Sequence, residues 1–391
     1  MAKEKEIDNL LNRNVEEVIV KKDLEKLLSS GKKLRIYIGV DPSSPVIHLG
    51  HAVGLRKLKA FQGLGHKVIF LIGDFTGRIG DPSGKTKERV PLTIEQVQEN
   101  SKTYLDQASK IIDIKKAEIR YNGEWLDKLT FKDVVMLASN FTVQQMIERD
   151  MFKERLKTNK PIGLHEFLYP LMVGYDSVAL DVDVEMGGTD QTFNMLAGRT
   201  LIKAMKGKEK HVLSVPLLLG TDGRKMSKSY GNVIGVTDPA DDMFGKVMSI
   251  KDELIIQYFE LCTDNNVDGI SKRIKNGENP RNLKFELAKE IVTIYHSPKE
   301  AERAAHEFEQ IFKNKEKPTD IPKAKYSKGS KLVDVLVESK TVSSKSEVRR
   351  LIQQGGVKIN DKAVSDIDHT LEKGKYIVQV GKRRFIELSE K

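Results

Sequence analysis

His48 and His51 stand three residues apart in the stretch YIGVDPSSPVIHLGH, with Gly50 between them. Two imidazoles aimed at one phosphate can stabilise charge that develops only in a transition state. Gly50 removes a side chain between them, so a flat ring or a phosphate can come close to the backbone. Taken alone, the H-x-x-H spacing equally describes two surface or helix-capping histidines. A second basic cluster shifts that balance. Residues 220–231 read GTDGRKMSKSYG. Lys225 and Lys228 supply two ammonium groups, Ser227 and Ser229 supply hydroxyls, and flanking glycines let the loop move. Such a loop suits a polyphosphate tail.

The elements around these residues explain where they sit. Residues 34–40, LRIYIGV, alternate and predict a strand. After the turn-rich DPSSP, the spacing of Val53, Leu55, Leu58, Phe61 and Leu64 predicts a helix that Gly65 ends. KVIFLIG then reads as a strand buried on both faces of a parallel sheet. The histidines therefore fall at the mouth of a βαβ unit, where open α/β sheets bind ligands. The helix that begins there favours anions at its N-terminus. AEIRY at 117–121 and HVLSVPLLL at 211–219 predict further strands. Residues 1–230 are expected to form a doubly wound, Rossmann-like parallel-sheet domain.

The pattern turns helical from about residue 238, and residues 231–315 are expected to form an α-helical domain. There Ser297, Pro298 and Glu300 make a helix start. The lysine- and proline-rich residues 316–330 read as a linker, and residues 331–391 as a small α+β unit. In that unit Ser344 and Glu347 suit a capping box. Val348, Leu351 and Ile352 point inward, and Lys345, Arg349 and Arg350 point out.

Composition narrows the class. The chain has 391 residues, 39% of them hydrophobic, which is enough for real cores. It starts MAKEKEIDNLLNRN, without a secretory apolar stretch, and no later run approaches a membrane span. The lone cysteine, Cys262, excludes an intrachain disulfide and a cysteine zinc cluster, and reads as a buried thiol. Cytoplasm is the expected setting. Net charge is +10, of which residues 313–391 carry +8 and the remainder +2. That asymmetry fits either a nucleic-acid partner for the tail or a merely soluble, lysine-rich segment. GDPSGKT at 80–86 is a near miss for a phosphate-binding loop. That motif needs four residues between its glycines, and Gly80 and Gly84 enclose three.

HLGH and KMSKS resemble the two signatures of the class I aminoacyl-tRNA synthetases. YIGVDPSSPVIHLGH, LIGDFTGRIGDPSGK, YPLMVGYDS and GGTDQTFN resemble the bacterial type of tyrosyl-tRNA synthetase, and the likeness runs over the whole chain. The resemblance implies a homodimer that takes tyrosine, ATP with Mg2+, and tRNA(Tyr), with no tightly bound protein-liganded metal. It implies that His48, His51, Lys225 and Lys228 act on the phosphates. Gly39, Ser43, Gly50, Gly188, Asp190 and Ser229 complete the ATP side. Ser43 stands where the family usually has threonine. Tyr37 and Asp176 would bind the phenol hydroxyl of tyrosine. Asp41 would hold the substrate ammonium or the ribose, Asp81 and Tyr169 the ammonium, and Gln191 the region of the carboxylate. The tail resembles a small RNA-binding module, which gives Lys345, Arg349 and Arg350 an RNA-facing role. One position departs: Val173 stands where the family usually has a glutamine that touches the substrate amino group.

The reaction implied is attack of an amino-acid carboxylate on the α-phosphate of ATP, followed by transfer to a tRNA ribose. A carboxylate is already ionised at pH 7, so alignment and charge neutralisation are needed rather than a base. Two rivals stay open. Tryptophanyl-tRNA synthetase shares the architecture, and Tyr37 and Asp176 argue against it because indole offers no hydroxyl. A non-catalytic RNA-binding paralogue is opposed by intact His48, His51, Lys225 and Lys228.

Overall fold

The computed structural model describes residues 2–83, 92–227, 230–313, 321–342, 344–381 and 384–390. Lys228 and Ser229 lie outside them, as do residues 84–86 of the GDPSGKT stretch.

Six strands make the first sheet: β1 (Glu17–Ile19), β2 (Arg35–Val40), β3 (Lys67–Ile72), β4 (Glu118–Tyr121), β5 (Val184–Gly188) and β6 (His211–Val215). Their order is β1-β6-β5-β2-β3-β4. All neighbours are parallel except β1, which runs antiparallel to β6. From β2 the chain builds outward to β3 and β4, then returns to place β5 and β6 on the other side. The order reverses at β2, so a crevice opens at the carboxyl ends of β2 and β5. Every residue of β3 after Lys67 is buried, as its continuous apolar run requires. The helix Leu49–Gly63 buries Val53, Leu55, Leu58 and Phe61 and is followed by Gly65 at φ 80°.

Two strands escape the hydrophobic pattern. β1 has three residues and is an edge. β5 reads VEMGG, where a glutamate and two glycines mask an otherwise buried central strand. Glu185 is tolerated there because Lys210 meets it in the interior.

The chain packs as two compact units: Met1–Asp238 with Ser249–Leu287, and Pro239–Met248 with Ala288–Lys391. The helices that the sequence groups over 231–315 are thus divided between them. Helix Ile255–Cys262 belongs with the first unit, where the Tyr258 hydroxyl donates to the Leu219 carbonyl and Cys262 is buried. Burial pushes the Cys262 thiol up to about 12, which fits an inert core thiol. In the second unit, helix Ala240–Met248 packs on helix Pro298–Lys313 through Phe244 and Phe308, and Arg303 pairs with Asp241.

The second unit also holds a five-stranded sheet, ordered β7-β11-β10-β8-β9. Its strands are β7 (Lys323–Tyr326), β8 (Val357–Ile359), β9 (Lys362–Ala363), β10 (Lys375–Val380) and β11 (Arg384–Glu390). β7 corrects the linker expectation for 316–330. Lys323 to Tyr326 alternate exposed lysines with the inward Ala324 and Tyr326, and the strand pairs in parallel with β11. Lysine content hid a period-2 pattern. Ser344 caps helix Lys345–Gln353 by accepting from the Glu347 amide, and Val348 and Ile352 are buried beneath it.

Candidate active site

At one end of the crevice the fold gathers the phosphate-type residues. His48 is the N-cap of helix Leu49–Gly63, and its amide donates to Nδ1 of His51 at 3.3 Å. The two rings stack with centroids 3.8 Å apart. A Cβ on Gly50 would lie 3.0 Å from the His48 ring, so only glycine leaves that ring where it is. Because Nδ1 of His51 accepts, its proton in the neutral form sits on Nε2.

Burial, then His51, then Lys225 push the His48 imidazole down to about 2. Burial also lowers His51, to about 4, against the opposing pull of Asp190 and with help from Lys225. Both rings are therefore neutral at pH 7 and can give hydrogen bonds rather than charge. A linkage follows. The unfolded chain protonates histidine near 6.5, and the folded site resists until well below that. The unfolded state thus binds more protons between about pH 6.5 and 4, and stability falls as pH falls through that window. The thermal midpoint should drop between pH 7.5 and 5. It should drop less in the double variant His48→Asn with His51→Asn, measured by calorimetry at both pH values.

The loop after β6 reaches this end. Lys225 Nζ lies 2.6 Å from Asp190 Oδ2, so the ammonium already has a carboxylate within the site. Asn232 organises the loop: its Oδ1 accepts from the Ser227 amide at 2.8 Å, and its Nδ2 donates to Asp222 and to the Lys225 carbonyl. The glycines suggest a freely moving loop, yet its described residues are pinned by one asparagine. Gly188 has no room for a Cβ, which would fall 2.8 Å from Leu217 and 2.9 Å from Asp190. Gly39 and Ser43 are exposed at the open end of β2 and in the turn that follows it.

The other end is built on helix Leu164–Leu180. Tyr169, Val173 and Asp176 are spaced by four and three residues, so they share one face. The Tyr169 hydroxyl donates to Asp41 Oδ2 at 2.9 Å, and Thr76 donates to Asp41 Oδ1 at 2.6 Å. Asn122 donates to Thr76 at 2.9 Å and to Asp176 Oδ2 at 3.2 Å, and Trp125 donates to Asp176 Oδ1 at 2.7 Å. Tyr169, Asp41, Thr76, Asn122 and Asp176 are thus one continuous chain of hydrogen bonds. A Cβ on Gly73 would fall 2.1 Å from Asp41 and 2.3 Å from Thr76, so this chain depends on that glycine. Burial raises the Asp176 carboxyl well above the usual range against the donors Trp125 and Asn122. Tyr37 is buried beside it, and its hydroxyl lies 3.0 Å from Ser177. Nearby, Gln191 donates to Asp81 at 2.7 Å and accepts from Asn194, and Asp81 also receives the Ser83 amide. Val173 is half-buried.

Thr76 lies within the stretch LIGDFTGRIGDPSGK without a role assigned to it there, and Asn122 and Trp125 carry no motif of their own. Their signal is positional: each follows the carboxyl end of a strand of the sheet, Thr76 after β3 and the other two after β4. In the second unit Lys345, Arg349 and Arg350 are exposed on helix Lys345–Gln353, with Lys345 paired to Asp334. Among the described residues, no cluster of three His, Cys, Asp or Glu side chains could hold a metal, and no helix is long and apolar enough to cross a membrane.

Comparison with known proteins identifies the family. Residues 29–313 match the family model of tRNA synthetases class I (W and Y). Residues 307–387 match the tyrosine–tRNA ligase SYY-like C-terminal domain. The chain is 49% identical over 386 residues to the tyrosine–tRNA ligase of Thermotoga maritima, covering 97% of this chain and 96% of that one. It is 48% identical over 379 residues to the enzyme of Haemophilus influenzae, covering 96% and 94%. Among solved structures, a C-terminally truncated mitochondrial tyrosyl-tRNA synthetase of Aspergillus nidulans superimposes with a TM-score of 0.64 at 23% identity, over 78% of this chain and 94% of that chain. The Archaeoglobus fulgidus tyrosyl-tRNA synthetase, solved with L-tyrosine, gives 0.62 at 23% identity, over 77% and 99%, and so likewise shares the fold. With a family model matched over residues 29–313 and relatives alike over nearly its full length, the chain belongs to the bacterial-type tyrosyl-tRNA synthetases of class I.

Proposed function

We propose that the crevice holds tyrosine and ATP end to end, with the phenol at Tyr37 and Asp176 and the phosphates at His48 and His51. The chain is a tyrosine–tRNA ligase: it joins tyrosine to ATP as tyrosyl-adenylate, releasing pyrophosphate, and passes tyrosine to the 3′ end of tRNA. The observation that carries the site reading is the hydrogen-bond chain from Tyr169 through Asp41, Thr76 and Asn122 to Asp176. It links the carboxylate suited to an ammonium with the carboxylate suited to a phenol.

In this reading Asp41, Asp81 and Tyr169 receive the ammonium, and Gln191 lies near the reacting carboxylate. Val173 gives that end no hydrogen bond. Neutral His48 and His51 donate to phosphate oxygens. Lys225 and Lys228 neutralise the departing pyrophosphate, with Ser229 as a further donor. Gly39, Ser43, Gly50, Gly188 and Asp190 line the adenylate. ATP brings its Mg2+ as part of the substrate. No general base is required, and the rate comes from alignment and from donors placed for the charge on the α-phosphate. The test is pyrophosphate exchange into ATP with tyrosine, phenylalanine and tryptophan. Exchange driven by tyrosine is expected, and a preference for tryptophan would sink the site reading.

The basic tail supports tRNA(Tyr) as the nucleic-acid partner, with Arg349, Arg350 and Lys345 on phosphates. Cytoplasm is the setting that a translation enzyme with one buried, reduced cysteine fits. A homodimer accounts for an apolar face otherwise open to water. Phe131, Val135 and Met136 are 85%, 51% and 60% exposed on helix Phe131–Ala138, and Met136 and Met205 line one groove. Phe131→Lys is expected to give a monomer at micromolar concentration by sedimentation, where the unaltered chain is a dimer.

A further inference from the structure

We infer that Asn232 is a positioning residue for adenylate formation: it ties the loop that carries Lys225 to the turn that carries His48, so that the ammonium and the imidazoles keep one spacing. This rests on the reading that Lys225 acts on the departing pyrophosphate. Backbone hydrogen bonds join the two segments. The Leu49 amide donates to the Ile234 carbonyl at 2.9 Å, and the Val236 amide donates to the Ile47 carbonyl at 3.0 Å. His48 and Gly235 face each other there as an antiparallel bridge. The Leu49 amide is one of the N–H groups that a helix start leaves without an intrahelical partner. Residues 234–236 are thus fastened to the phosphate end of helix Leu49–Gly63. Gly235 permits the close approach, since a Cβ there would lie 2.8 Å from Asp238 Oδ1 and 3.1 Å from Val46.

Only Val233 separates Asn232 from Ile234. Asn232 is buried, and its side chain reaches back across the loop. A primary amide has two N–H protons and one carbonyl oxygen. One proton goes to Asp222 Oδ1 at 2.7 Å and the other to the Lys225 carbonyl at 3.1 Å, while the oxygen takes the Ser227 amide at 2.8 Å. The amide has one orientation here, because a carboxylate and a carbonyl only accept and a backbone N–H only donates. The Asn232 backbone carbonyl also accepts the Thr221 amide at 3.1 Å. Asn232, ahead of Arg224, holds the Asp222 carboxyl well below the usual carboxylate range. The loop entry packs as closely: a Cβ on Gly220 would fall 2.3 Å from Asn232 Nδ2. Lys225 and Ser227 therefore hang from one side chain anchored beside the His48 turn. Both N–H groups of Asn232 are committed to the loop, so it has none left for a phosphate, which only accepts. It acts on the reaction through Lys225.

The experiment is single-turnover formation of tyrosyl-adenylate by the full chain, with the Kd of tyrosine taken from the same titrations. Asn232→Ala should lower the rate constant by roughly tenfold or more, since the Lys225 carbonyl and the Ser227 amide lose their common partner. The Kd of tyrosine should stay within about twofold, because Asn232 serves the phosphate end. In a chain that already carries Lys225→Ala, the same substitution should cost less than about threefold. Equal losses in the two backgrounds would mean that Asn232 does not act through Lys225; the inference is then overturned and the site reading survives. If Lys225→Ala alone leaves the rate unchanged, the reading of the loop itself fails. A lower melting temperature in Asn232→Ala with an unaltered rate would make Asn232 merely structural and also overturn the inference. Trypsin supplies a readout that needs no catalysis. Cleavage after Arg224 or Lys225 should be about tenfold faster in Asn232→Ala, and equal cleavage rates would show that the asparagine does not hold the loop. Asn232→Ser, whose hydroxyl is too short to span the loop, takes the place of Asn232→Ala in every arm if the alanine variant does not fold.

Discussion

Asp176→Ala should reduce the preference for tyrosine over phenylalanine by roughly ten- to a hundredfold in kcat/KM. The KM for ATP should stay within about twofold. The carboxyl is buried, and its oxygens are held by Trp125 and Asn122, side chains that belong to the amino-acid end. Leaving the buried phenol hydroxyl without its partner costs about 1–3 kcal/mol, and each 1.4 kcal/mol is tenfold. Phenylalanine has no hydroxyl to lose, so the variant penalises tyrosine alone. The truncation also strands the Trp125 N–H and one Asn122 N–H, which lowers stability as well. Exchange kinetics with the two amino acids at varied ATP decides the matter. A KM for ATP that rises in step with that for tyrosine would mean that Asp176 holds the whole crevice and not the phenol.

Arg155→Met should lower the stability of the first unit by about 3–5 kcal/mol, the range for removing one member of a buried ion pair. For a domain of this size that is a fall of roughly 10 °C in the thermal midpoint. Arg155 and Glu166 are 0% and 1% exposed at their side chains, and they bind through two parallel contacts of 2.7 and 2.6 Å. Methionine fills the volume but leaves the Glu166 carboxylate buried without its cation. Glu166 also accepts the Gly163 amide at 2.9 Å, closing the first turn of helix Leu164–Leu180. That helix carries Tyr169, Val173 and Asp176, so a weaker tyrosine KM should accompany the loss. Calorimetry of Arg155→Met beside the double variant Arg155→Met with Glu166→Leu separates the causes. The double variant should recover most of the stability, because no charge is left stranded. If both melt alike, lost packing rather than an unpaired charge is responsible.

Much of the crevice is legible in the sequence. The helix after β2 and the buried run of β3 follow from hydrophobic spacing, and together they put His48, Gly50 and His51 at a strand-to-helix turn. Hydrophobic spacing failed where polar residues are buried in pairs. β5 escapes the pattern because Glu185 breaks its apolar run, and only Lys210, twenty-five residues on, makes that glutamate tolerable. β7 reads as linker because lysine fills every other position in a lysine- and proline-rich stretch, although Ala324 and Tyr326 keep the period of a strand.

The sequence by itself determined the family, the signature residues and the position of the first strand–helix turn, because these depend on residue type and short spacing. Only the tertiary structure decided that Asp176 is held by Trp125 and Asn122, that Asp41 is tied to Asp176 through Thr76, and that Tyr37 faces Ser177. Those partners are 35 to 140 residues apart along the chain. Hydrogen bonds over such separations have no periodicity along the chain. They exist because a parallel sheet brings the carboxyl ends of distant strands to one edge, and burial there leaves each polar group no partner but another of its kind.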